Sequence, residues 1–318
     1  MMPWLLCGLG LVILLLAGDA LVRGAVNLSL RLGVPALIVS LTIVAFGTSA
    51  PELLIAIKAV AENADGIAMG NVVGSNTANI LMVLGIPAIL ATLHTSQCDS
   101  RKSYVLMLLS TVLFIGLAMC GTLTIWSGLI LLTALALFLG DAFRDARSHR
   151  KNCCNGDEGE PLDGLEEADP NMPVWKIAIY LGLGLIGLPL GADLLVDNAT
   201  IIARMYQVSE TVIGLTLVAI GTSLPELATT VMATLRKQAD VALGNVIGSN
   251  MFNLLAIIGI TTFIGPITVD PEFLRFDLWV MLGASLLIFP FVFLKKDITR
   301  RWGFALTGLY IGYLLVLF

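Results

Sequence analysis

Charge is what this chain has least of: 13% of its 318 residues are Asp, Glu, Lys or Arg, against 57% apolar residues. A soluble domain carries roughly 25% charged residues, so a water-soluble fold is excluded and an integral membrane protein is expected. Histidine is almost missing as well. His94 and His149 are the only two, and both fall in expected loops away from the motifs described below. Without a histidine or cysteine beside the acidic residues of those motifs, hydrolytic metal chemistry has no ligand set, and no enzyme and no cofactor are expected. The five cysteines show no disulfide framework, and the adjacent Cys153 and Cys154, even with His149, lack a fourth zinc ligand. The N-terminus has neither a basic n-region nor a small-residue cleavage site, so its apolar run is expected to be a span rather than a signal peptide.

What is present in abundance is long apolar runs. About 20 apolar residues cross a bilayer, and runs of that kind lie near 3–30, 35–58, 66–93, 103–120, 123–141, 173–203, 209–234, 240–265, 276–294 and 301–318. The expected fold is therefore an all-α polytopic membrane protein of ten transmembrane helices. A hydrophilic linker, 143–172, separates five spans in 1–142 from five in 173–318. An odd number of spans per half forces the second half to enter the membrane from the opposite side, so the halves are expected to be two inverted five-helix repeats. Basic residues orient the chain. All but four of the 18 lie in loops on one side; the exceptions are Lys58, Arg204 and Arg275 on the other side and Arg23 within the first span. Both termini are expected outside the cytoplasm and the linker inside it. The linker carries seven acids from Asp157 to Asp169, which reads as a solvated connection without the ligand spacing of an EF-hand.

Two motifs inside the apolar runs occur twice, each time offset by 174 residues. Gly47-Thr48-Ser49-Ala50-Pro51-Glu52 returns as Gly221-Thr222-Ser223-Leu224-Pro225-Glu226. Gly70-Asn71-Val72-Val73-Gly74-Ser75-Asn76 returns as Gly244-Asn245-Val246-Ile247-Gly248-Ser249-Asn250, and Asn79 maps to Asn253 at the same offset. An acidic residue at membrane depth, duplicated in this way, points to a cation pathway where two repeats meet.

The residue types fit that chemistry. Pro51 and Pro225 lack an amide hydrogen and should kink their helices, freeing carbonyls near Ala45 and Ala219. Thr48 and Ser49 precede Glu52 by four and three residues, so they are expected on its helix face; Thr222 and Ser223 stand likewise to Glu226. Asn71, Ser75 and Asn79 recur every four residues, as do Asn245, Ser249 and Asn253, and Gly-x-x-x-Gly spacing allows close helix approach. Carboxylate, hydroxyl, amide and carbonyl oxygens are hard donors suited to calcium, which takes six to eight of them, and sodium accepts the same type. For Asn71 and Asn245 a structural hydrogen-bonding role stands slightly ahead of ligation. Asp19 and Asp193 also correspond at the offset of 174; an access path, an ion pair or snorkelling would each explain them, and they are left outside the site.

Two copies of Gly-Thr-Ser-x-Pro-Glu, each followed by Gly-Asn-x-x-Gly-Ser-Asn-x-x-Asn, resemble the cation/calcium exchanger superfamily, and most closely its bacterial inner-membrane sodium/calcium exchangers. The resemblance covers essentially the whole chain. It implies two acidic ligands, Glu52 and Glu226, hydroxyl ligands Thr48, Ser49, Ser75, Thr222, Ser223 and Ser249, carbonyl ligands Ala45 and Ala219, and the amides Asn79 and Asn253. Both glutamates follow proline, as in the sodium-coupled branch. Some relatives, including potassium-dependent exchangers, have Asp where this chain has Asn253, which argues against potassium dependence. The implied protein is a secondary antiporter in a bacterial inner membrane, exchanging sodium for calcium by alternating access. Its partners are those ions and membrane lipid, with no nucleic acid, and a monomer suffices. The alternatives are a proton/calcium or other divalent-cation antiporter on the same scaffold and, less well suited to paired repeats, a cation channel.

Overall fold

A computed structural model describes residues 2–154, 169, 172–207 and 219–317. Residues 157–168 of the acidic linker, residues 209–218 of the seventh expected span, and the side chains of His149, Cys153, Cys154 and Ala219 lie outside what is described.

Helix dominates the described residues because a chain in hydrocarbon must satisfy its own backbone polar groups. Helices α1 (Met2–Leu32) and α2 (Ala36–Thr48) are followed by α3 (Ala50–Ala61), α4 (Asp65–Leu90), α5 (Arg101–Ala118) and α6 (Ile125–Cys154). The second half supplies α7 (Val174–Met205), α8 (Leu224–Leu235), α9 (Ala239–Thr261), α10 (Phe273–Phe293) and α11 (Arg300–Leu317). Seven of these are long and apolar enough to cross a membrane, or eight when α2 and α3, bent by 44° at their junction, count as one span. Of the expected spans 209–234 and 301–318, the first is described only from Ala219 onward, and the second is the 18-residue α11.

The helices differ sharply in burial. The apolar window of α9 is 100% buried and that of α4 83%, whereas α1 and α7 reach only 39% and 22%. The two helices bearing the Asn/Ser stripe thus form the centre, and α1 and α7 lie on the outside together with α5, α6 and α10. With 31 and 32 residues, α1 and α7 run about 45 Å at ~1.5 Å per residue, longer than the ~30 Å hydrocarbon core.

Backbone-to-backbone contact joins α1 to α7. A Cβ on Gly184 would lie 2.5 Å from Leu21 Cβ, and one on Gly191 would lie 2.9 Å from the Leu14 nitrogen. Small residues let the helices approach until dispersion forces replace a hydrophobic drive that lipid does not supply. The same pair is anchored to α8: Gly18 faces the Ala228 carbonyl, and Asp19 pairs with Arg236 just beyond the end of α8 as well as with Arg23, 3.0 Å away. Asp19 is therefore in an ion-pair cluster, while Asp193 is exposed.

Short cross-links tie the loops of the two halves together. Strands β1 (Thr122–Leu123) and β2 (Ile267–Thr268) pair antiparallel, and Leu93 bridges Ile298. Neither link is legible as a strand pattern, since two residues carry no period.

Leucine at Gly184 should therefore force α1 and α7 apart, costing about 1–3 kcal/mol as overpacking does, and should lower the thermal midpoint of the detergent-solubilised protein. Gly182→Leu, at a position with nothing within 4 Å among the described residues, should leave the midpoint unchanged.

Candidate functional site

The repeated Pro-Glu motif folds as a helix break. Ser49 (φ −86°, ψ 5°) ends α2 and Ser223 (φ −90°, ψ 4°) precedes α8, and in each case a new 12-residue helix begins at the next residue. Pro51 and Pro225 then fall in a first turn, where a missing N–H costs nothing and a fixed φ helps. The expected kink is present in the first half as a 44° bend between α2 and α3, but at a break in the helix rather than within a continuous one. The Ala45 carbonyl is not freed: it accepts the Ser49 N–H at 3.1 Å and the Thr48 hydroxyl at 3.3 Å. Nor do Thr48 and Ser49 share a helix face with Glu52, because the helix is interrupted between them. In the second half the Ser223 N–H bonds to the Ile220 carbonyl at 3.0 Å, and Ala219 opens the short turn Ala219–Gly221.

The break places Glu52 and Glu226 in the first turns of α3 and α8, where the helix dipole favours negative charge. Both are fully buried. Neither pairs with a lysine or arginine among the described residues. Glu226 Oε1 accepts the Ser49 hydroxyl at 3.3 Å, while Glu226 Oε2 and both carboxylate oxygens of Glu52 have no partner among the described residues.

The stripe on α4 and α9 serves two purposes. Asn71 Nδ2 donates to the Glu52 backbone carbonyl at 3.2 Å, and Asn245 Nδ2 donates to the Glu226 carbonyl at 3.3 Å. These matching bonds, 174 residues apart, give both asparagines the structural role that the sequence put slightly ahead. One turn further on, Ser75 and Ser249 are buried, and at the next turn so are Asn79 and Asn253. Asn79 Oδ1, both amide atoms of Asn253 and Ser223 Oγ are buried without a partner among the described residues. Beyond Asn253 the chain takes a π-helical turn, Asn253–Ile257, and beyond Asn79 the Val83 N–H reaches back five residues to the Ala78 carbonyl at 2.9 Å. Widened turns of this kind often accompany functional positions.

The halves meet through the Gly-x-x-x-Gly of α9. A Cβ on Gly248 would lie 2.6 Å from both Ala45 Cβ and the Leu41 carbonyl, so α9 packs directly on α2. That contact carries Thr48 to the second half, where its hydroxyl lies 3.3 Å from Asn245 Oδ1, an alternative acceptor to the Ala45 carbonyl for its single proton, and 3.4 Å from Ser249 Oγ. Gly74, by contrast, has nothing within 4 Å among the described residues. Thr222 is half-buried beside the fully buried Ser223.

Among the described residues no three His, Cys, Asp or Glu cluster as a transition-metal site. What converges is two carboxylates and neutral oxygens, a donor set for a hard cation. The sequence reading missed Asn76 and Asn250, both buried on the same helices; their recurrence at the offset of 174 inside the quoted motif was the available signal.

Fold and site together define a polytopic helical membrane protein with an acid pair held at depth. Comparison narrows the class. The family model for sodium/calcium exchanger protein matches residues 2–142 and 176–318. The putative antiporter CaxA of Alkalimonas amylolytica is 36% identical over 317 residues, covering 97% of this chain and 96% of its own. The inner membrane protein YrbG of Escherichia coli (strain K12) is 34% identical over 311 residues, covering 97% and 94%. Among solved structures, the sodium-calcium exchanger NCX_Mj, soaked with 2.5 mM Na+ and 1 mM Sr2+, superposes with a TM-score of 0.82 at 29% identity, covering 99% of this chain and 98% of that one. The chain belongs to the sodium/calcium exchanger protein family.

Asn245→Ala removes the donor to the Glu226 carbonyl in a fully buried setting, so it should cost about 1–3 kcal/mol of stability. Asn71→Ala, at a less buried position, should cost less; thermal unfolding of the two purified variants measures the difference.

Proposed function

We propose that this protein is a secondary active antiporter that exchanges sodium for calcium by alternating access at a site near the membrane midplane. One observation carries the reading: among the described residues, two fully buried carboxylates without a cationic partner stand beside buried oxygens that have no hydrogen-bond donor. A cation is the group that such a set lacks. Family membership and the names of its relatives, an antiporter and a sodium-calcium exchanger, support the same conclusion.

The proposed ligands are Glu52, Glu226, Ser75, Ser249, Asn79, Asn253, the hydroxyls of Thr48, Ser49, Thr222 and Ser223, and the carbonyls of Ala45 and Ala219. The Ala45 carbonyl keeps a role here because the Thr48 hydroxyl has a second acceptor in Asn245 Oδ1, and donating there leaves one lone pair of the carbonyl open to an ion. Two carboxylates neutralise one calcium ion, and sodium ions use the same oxygens, so the two ions compete. Competition for a site open to one side at a time couples their movements.

The proposed scaffold has ten spans in two inverted repeats, 1–142 and 173–318, joined by a cytoplasmic linker, 143–172. Both termini lie outside the cytoplasm. The membrane is the bacterial inner membrane, as the name of the Escherichia coli relative suggests, and a monomer suffices for transport. The long helices α1 and α7, packed on each other and far less buried than α4 and α9, form the unit that moves against the remainder.

Proteoliposomes loaded with sodium and diluted into sodium-free buffer, with a protonophore present, should accumulate calcium and should stop when sodium is equal on both sides. Uptake that ignores sodium but follows an imposed pH gradient without protonophore would move the assignment to proton coupling. Glu52→Gln and Glu226→Gln should each abolish uptake while the protein remains folded; normal exchange in both would contradict the site.

A further inference from the structure

Three further pairs of buried residues repeat at the offset of 174: Asn76 with Asn250, Asn79 with Asn253, and Met107 with Met281. Part of their bonding obeys the repeat. Asn76 Nδ2 donates to Met281 Sδ at 3.7 Å, and Asn250 Nδ2 lies 3.9 Å from Met107 Sδ. Each asparagine of one half is thus seated against a methionine of the other.

The next bond breaks the repeat. Asn79 Nδ2 donates to Asn250 Oδ1 at 3.1 Å. Its counterpart would run from Asn253 Nδ2 to Asn76 Oδ1, and both of those atoms are buried without a partner among the described residues. The glutamates show the same asymmetry in the same sense. Ser49 Oγ donates to Glu226 Oε1 at 3.3 Å, whereas Ser223 Oγ and both carboxylate oxygens of Glu52 are unpaired among the described residues. In these two pairs the bond from a first-half donor to a second-half acceptor is made and its repeat-related counterpart is open among the described residues, whereas a third inter-half bond, from Asn250 Nδ2 to the Asn76 carbonyl at 3.3 Å, runs in the opposite sense.

An open donor and an open acceptor of matching chemistry, both shielded from solvent, are costly unless another arrangement joins them. Here the made bonds and the open ones are related by the sequence repeat, so a shift between the halves exchanges them. The made bond also has a local consequence. With Nδ2 committed to Asn250, Asn79 is left with Oδ1 as its unpaired atom, the atom that a cation needs. Asn253 has no such constraint, and its amide is free to present either end.

We propose that Asn250 and Asn76 are positioning residues that act in turn: Asn250 fixes Asn79 as an oxygen donor in one access state, and Asn76 fixes Asn253 in the other. The proposal rests on the exchange reading and adds to it two residues outside the proposed ligand set. It also explains why the site amides do not need to be acidic to be oriented. The alternation follows from the two sets of bonds being equivalent under the repeat, so the energetic difference between the two access states stays small.

The test is the calcium KM of sodium-dependent exchange, measured separately at each membrane face in right-side-out and inside-out vesicles. Asn250→Ala should raise the KM at one face about fivefold, the equivalent of one hydrogen bond of ~1 kcal/mol, and Asn76→Ala should raise it at the opposite face. In the Asn79→Asp background both terminal atoms are oxygens, so adding Asn250→Ala should change the KM by less than roughly twofold, the non-additivity of a coupled pair. Equal shifts at both faces, no shift in either variant, or a full Asn250→Ala effect that persists with Asp at position 79 would overturn the alternation. Because Asn76 Oδ1 is unpaired here, Asn76→Ala keeps the test available if Asn250→Ala does not fold. The wild-type protein runs alongside: absence of exchange in it overturns the exchange reading, and normal wild-type exchange isolates the failure to this proposal.

Discussion

The structure depends on keeping two carboxylates ionisable in a place where water does not reach them. Moving such a group from water into a medium of low dielectric constant carries an idealised cost of order 20 kcal/mol, and Glu52 and Glu226 receive no arginine or lysine among the described residues to offset it. The fold supplies instead what a cation would complete: helix N-termini behind each carboxylate, neutral oxygens around them, and a central pair of helices whose backbones are satisfied. The helix break at Ser49 and Ser223 meets several of these needs together. It creates the two N-termini, gives each proline a position without a lost hydrogen bond, and separates the hydroxyls of Thr48 and Ser49 from the helix of Glu52, so that they reach the second half.

Close packing follows from the same requirement. For Thr48 to touch Asn245 and Ser249, α9 must lie against α2 with nothing larger than a hydrogen at Gly248. The centre is accordingly tight and deeply buried, while α1 and α7 are tight against each other and loosely covered elsewhere. A rigid interior beside an outer helix pair joined through small residues is a mechanical arrangement suited to sliding. The Asp19–Arg236 pair lies where that outer unit meets the end of the Glu226 helix.

Much of this was legible in the sequence because a repeat at a fixed offset is a strong constraint. The offset of 174 located both glutamates, and the every-fourth-residue spacing placed Asn71, Ser75 and Asn79 on one helix. The structural role of Asn71 and Asn245 was also within reach, since a membrane helix seldom wastes an amide donor. The break at Ser49 was not. Proline lowers helix continuity in a kink and in a first turn alike, and only the backbone angles tell them apart. The β1–β2 link was hidden because two-residue strands have no period. The asymmetry between Asn79 and Asn253 was beyond sequence altogether: the two copies of the motif are chemically the same there, and which bond is made is a property of conformation.

The central claim is that sodium and calcium share one site built around Glu52 and Glu226. Equilibrium calcium binding to the purified protein, repeated at increasing sodium concentration, tests it most directly. A shared site predicts that sodium raises the apparent Kd for calcium while the number of calcium sites at saturation stays constant. Sodium that leaves the Kd unchanged, or that lowers the number of sites without moving the Kd, would contradict it.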